Sequence, residues 1–84
     1  MDNQEFDLGR LKWMCRRGML ELDILLERFV DRGIYLQLST DNQQLFEALM
    51  QEPDPVLLAW FMGNEAPKQT FSALVETIRA ETKP

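Results

Sequence analysis

The chain has 84 residues, 45% of them hydrophobic and 27% charged, with a formal net charge of −5. That length suits one domain, residues 1–84, with a single small core, and the acidity argues against nucleic-acid binding, which needs a basic surface to neutralise phosphates. There is no histidine, which excludes imidazole acid–base chemistry and His-ligated metal sites, and the one cysteine, Cys15, has no internal disulfide partner and suits a reducing compartment.

The first seven residues, Met1 to Asp7, are acidic and lack both a basic and an apolar region, so neither a secretory signal nor a transit peptide is expected. The longest apolar run, Val56 to Met62, falls far short of the ~20 residues of a membrane span. A cytoplasmic protein is the expectation.

A first helix is predicted from about Gln4 to Arg16. Asp2, Glu5 and Asp7 near its start and Arg16 and Arg17 at its end both suit the helix dipole. Leu8, Leu11 and Cys15 form its apolar stripe, with Cys15 read as a small buried hydrophobe. Trp13 lies off the stripe and is expected to pack at its edge. Gly18, just past the basic last turn, stops the helix.

The second helix, Met19 to about Arg32, has the clearest pattern. Leu22, Leu25, Leu26, Phe29 and Val30 recur at i, i+3, i+4, i+7, i+8 and define a core face. Gly33 ends it. Ile34 to Leu38 alternates like a strand but has no second strand to pair with, so an extended connector over the core is expected. Thr40 to Gln43 fits a capping box opening a third helix to about Met50, with Leu45, Phe46, Leu49 and Met50 facing inward. Pro53 stops it.

Asp54-Pro55 restarts the chain as N-cap and first-turn proline. The run from Val56 to Met62 is read as a short buried helix. After Pro67, Phe71, Leu74, Val75 and Ile78 make a last helical stripe. The tail from Glu81 to Pro84 is expected to fray. The sum is an all-α bundle of about five short helices.

Catalytic motifs are absent from this sequence: no Gly-rich phosphate loop, no metal-spaced Cys/His cluster, no base for a thiol. Glu21 and Asp23 at i, i+2 on a helix do not face each other and would not share a proton. One polar constellation stands out, Arg17, Gly18 and Glu21, flanked by Arg16 and Asp23. It reads either as an exposed Arg17–Glu21 ion pair beside a routine glycine cap, or as a partner-facing knuckle. In the second reading Arg17 grips a carboxylate or carbonyl, Gly18 lets a partner backbone approach, and Glu21 accepts hydrogen bonds.

Arg17-Gly18-Met19-Leu20-Glu21 resembles the signature of the SdhE (YgfY-like) succinate dehydrogenase assembly factors. The likeness extends from Trp13 to Asp23 and to a second landmark from Leu49 through Asp54-Pro55 to Trp60. It implies a five-helix fold and a protein that binds the flavoprotein subunit of succinate dehydrogenase, or of fumarate reductase, and promotes covalent attachment of FAD to a histidine there. The partner-binding residues implied are Arg16, Arg17, Gly18, Glu21 and Asp23. FAD then belongs to the partner, and this chain acts as a monomeric, non-catalytic chaperone. Two other readings stand beside it: an antitoxin-like module whose acidic surface caps a basic partner, and a small flavin ligase, which the missing cofactor-binding motifs disfavour.

Overall fold

The computed structural model describes residues 7–84. Among them the elements are α1 (Leu8–Met14), α2 (Leu20–Asp31), α3 (Ile34–Gln37), α4 (Thr40–Leu49), α5 (Asp54–Phe61) and α6 (Gln69–Glu81), with no strand. The all-α expectation holds, with one more helix than predicted. None of these helices is long and apolar enough to cross a membrane.

Helix α1 begins later than predicted. The Asp7 side chain accepts from the Arg10 amide at 2.9 Å and satisfies one of the orphan N–H groups of the first turn. The predicted start from Gln4 to Phe6 lies outside the described residues. Leu11 and Cys15 are buried as the stripe requires, whereas Leu8 stays 43% exposed. Trp13 does not pack at the edge; it is 77% exposed.

Helix α2 buries Leu22, Leu25, Leu26 and Phe29, with Val30 half-buried beside them. Gly33 then takes φ +67, the left-handed geometry that ends the helix. Residues Ile34 to Gln37 form a helical turn, not the extended connector. A strand without a neighbour leaves its amides and carbonyls unpaired, whereas a helical turn satisfies them locally. The apparent alternation hides the better pattern. Ile34 and Leu38 stand four residues apart and both meet the core, while Leu36 points away at 59% exposure.

Helix α4 is capped by Ser39, whose hydroxyl accepts from the Asn42 amide at 3.1 Å, one residue before the predicted Thr40 cap. Gln43 donates its side-chain amide to the Tyr35 carbonyl instead of closing a capping box. Phe46, Leu49 and Met50 are buried; Leu45 packs against the core half-exposed. In α5 the N-cap is Pro53, and Asp54, predicted to cap, uses its carboxylate elsewhere.

Phe29 and Phe46 stack at the centre with ring centroids 4.6 Å apart, and Tyr35 meets both edge-on. Helix α6 packs on α4 and α5, burying Phe71, Leu74, Val75 and Ile78 as predicted. Of the tail expected to fray, Glu81 and Thr82 are tied down, while Lys83 and Pro84 lie exposed past the helix. Thr82 is 3% exposed and donates its hydroxyl to the Ile78 carbonyl. Arg28 and Arg32 hold the carbonyls of Thr82 and Glu81. Cationic side chains there also suit the negative end of α6.

Candidate functional site

The knuckle joins α1 to α2. The amides of Cys15 and Arg16 still bond back into the last turn of α1. Met19 then extends and starts α2 without a side-chain cap. The substitute comes from Asp23 in the first turn of α2. Its carboxylate reaches back to accept from the Arg17 amide at 2.8 Å and the Gly18 amide at 3.1 Å. Hydrogen bonds to a charged acceptor are the stronger kind, so Asp23 clamps the loop.

Gly18 takes φ +87, a conformation that disfavours any side chain. A Cβ built there would meet nothing within 4 Å, so the surface over Gly18 is open to an approaching backbone. Glu21 and Arg16 are exposed, and neither side chain has an ion-pair or hydrogen-bond partner among the described residues.

Arg17 turns inward. Its side chain is 16% exposed and Nε donates to Asp54 Oδ1 at 2.8 Å. Nη1 donates to the Met14 carbonyl at 3.0 Å and Nη2 to the Glu52 carbonyl at 3.3 Å. The guanidinium thus pins the end of α1 to the turn between α4 and α5. Its ion pair is with Asp54, not Glu21, so the exposed Arg17–Glu21 pair is not formed.

The five predicted residues therefore lie together but divide by task. Arg16, Gly18 and Glu21 face outward. Arg17 and Asp23 brace the loop that carries them. Sequence reasoning missed Asp54 as the partner of Arg17, because nothing in a 37-residue separation announces the pair. It also missed the exposed apolar side chains around the knuckle. Leu20 is 76% and Ile24 39% exposed, one turn apart on the outer face of α2.

The arrangement presents hydrogen-bond donors and acceptors at its surface. Burial pushes the Cys15 thiol up to about 12, so it stays protonated and inert. Among the described residues no group of His, Cys, Asp and Glu could hold a metal ion.

Comparison with known proteins places the chain in a family. The family described as flavinator of succinate dehydrogenase matches residues 9–82. This chain belongs to that family. It is 52% identical over 76 residues to the FAD assembly factor SdhE of Colwellia psychrerythraea, covering 89% of this chain and 82% of the relative. Against SdhE of Shewanella oneidensis it is 43% identical, covering 93% and 95% of the two chains. Against that of Coxiella burnetii it is 37% identical over 92% and 94%. No solved structure matches it. The family's match spans α1 to α6, so both the knuckle and its bracing by the α4–α5 turn lie within it.

Proposed function

We propose that this protein is an assembly factor that binds the flavoprotein subunit of succinate dehydrogenase and promotes covalent attachment of FAD to a histidine of that subunit. Fumarate reductase is its second client. One observation supports the reading: a knuckle braced by Arg17 and Asp23 that leaves Gly18 and Glu21 exposed, in a chain of this family.

The division of labour follows from what the chain contains. It has no histidine and cannot hold a histidyl-flavin bond itself. It has no Gly-rich turn for a dinucleotide pyrophosphate. FAD therefore enters with the partner, as the substrate of the partner's own flavinylation. This protein contributes position, holding the partner's segments in a reactive arrangement. Correct positioning alone lowers a barrier by up to ~7–11 kcal/mol in favourable cases. It acts as a monomer in the cytoplasm and releases the loaded subunit.

Covalent flavin fluorescence of the partner subunit, run on a denaturing gel, tests this. Cells carrying Gly18→Arg or Glu21→Ala should lose most of the signal while retaining the subunit. Normal flavinylation in both would overturn the proposal.

A further inference from the structure

From Leu8 to Leu20 the chain carries Arg10, Lys12, Arg16 and Arg17 and no carboxylate, although its formal net charge is −5. The fold disposes of some of this charge. Arg10 pairs with Glu47 and Arg17 with Asp54. Arg16 is left without a partner among the described residues. It lies on the wall of a cleft of about 400 Å³ between α1 and the end of α4, beside Trp13, Met14, Met50 and Gln51, where the one lining carboxylate, Glu47, is already paired with Arg10.

Trp13 is the most exposed large apolar side chain of the described residues, at 77%. A lone exposed leucine needs no explanation. A tryptophan beside an unneutralised arginine is different, because these two residue types dominate the energetics of protein interfaces. The cleft's polarity is also opposite to that of its neighbour. The outer side of α2 carries Glu21, Glu27 and Asp31, all exposed.

We propose that this cleft receives an acidic segment of the partner protein, with a carboxylate on Arg16 and an adjacent apolar side chain against Trp13. The inference rests on the assembly-factor reading above and adds the chemistry of the segment recognised. Charge complementarity chooses the occupant, since an acidic protein with one unpaired arginine in the cleft cannot draw in a polyanionic nucleic acid. The cleft shares Arg16 and Arg17 with the knuckle, so both surfaces can engage one partner at once. A basic face on α1 and an acidic face on α2 fix the partner's orientation, because the reversed pose sets like charges together.

The test measures the affinity of the purified full-length protein for the purified succinate dehydrogenase flavoprotein subunit, at low and high salt. Trp13→Ala and Arg16→Glu should each weaken binding roughly tenfold or more, with unchanged circular dichroism and melting temperature. Trp13→Phe should recover part of the loss. Lys12→Glu reverses a charge on α1 outside the cleft and should change affinity by less than about threefold, since an exposed charge away from the contact acts mainly on the approach. Wild-type affinity in Trp13→Ala and Arg16→Glu would overturn the inference and leave the assembly role standing. A Lys12→Glu loss as large as that of Arg16→Glu would also overturn it, by showing general attraction without a cleft. Failure of the wild-type protein to bind the subunit would remove both readings.

Discussion

Arg17 sits in the connection between α1 and α2 but turns its side chain into the fold. Its guanidinium is held by Asp54 and two backbone carbonyls, so its task is to hold Gly18 and Glu21 in place. Truncation leaves a half-buried carboxylate and two carbonyls without their donor. Arg17→Ala and Asp54→Ala should each destabilise the fold by about 1–3 kcal/mol. The double variant should cost less than the sum of the two, because the residues share one interaction. Urea denaturation of the four proteins measures this; additive losses would break the pairing argument. Gly18 differs, because a Cβ there meets only open space. Gly18→Ala should cost about 1–2 kcal/mol from backbone conformation alone and should still fold. Cys15 should resist alkylation in the native protein and react fast in denaturant. Its thiol is shifted from 9.0 to about 12 by burial. The folded state therefore keeps a proton that the unfolded state loses, and stability should fall as pH rises from about 9 to about 12.

Among the elements, the start of α2 departs most from ordinary capping. Met19 offers no side-chain acceptor, and Asp23 clamps the preceding loop from inside the helix. Asp23→Ala should therefore loosen the knuckle more than it unwinds α2. Hydrogen exchange should speed up at the Arg17 and Gly18 amides while those of Leu25 and Leu26 keep their protection. Equal loss along the whole helix would point to simple unfolding instead. At α4 the cap is conventional, and Ser39→Ala should lower stability by about 1 kcal/mol.

For the molecule as a whole, the core is built around the fully buried Phe29–Phe46 stack. A domain of this size has about 4–12 kcal/mol of total stability. Phe46→Ala, at a fully buried site, removes about 3–5 kcal/mol of it. Thermal melting should show a large drop in the midpoint of that variant, and flavinylation should fall with its folded fraction. The chain end belongs to the same fold. Deleting residues 82–84 removes the buried Thr82 and the carbonyl that Arg28 holds, and should lower the melting temperature by several degrees.

Local chemistry was legible without coordinates wherever the signal lay within about one or two helical turns. The stripe from Leu22 to Phe29, the glycine stop at Gly33 and the stripe from Phe71 to Ile78 were all readable, because helix periodicity and positive φ are properties of neighbouring residues. The knuckle's position and its exposed Gly18 and Glu21 followed from the same local grammar. Short segments with two compatible periods were not decided there, and Ile34 to Leu38 became a helical turn once the absence of a pairing strand left no other way to satisfy its backbone. Asp54 against Arg17, Trp13 left in solvent and Thr82 drawn into the core depend on which surfaces distant helices bring together. Burial and ion pairing act through space, so the tertiary structure alone could divide the five residues into Arg16, Gly18 and Glu21, which stay exposed, and Arg17 and Asp23, which brace the loop.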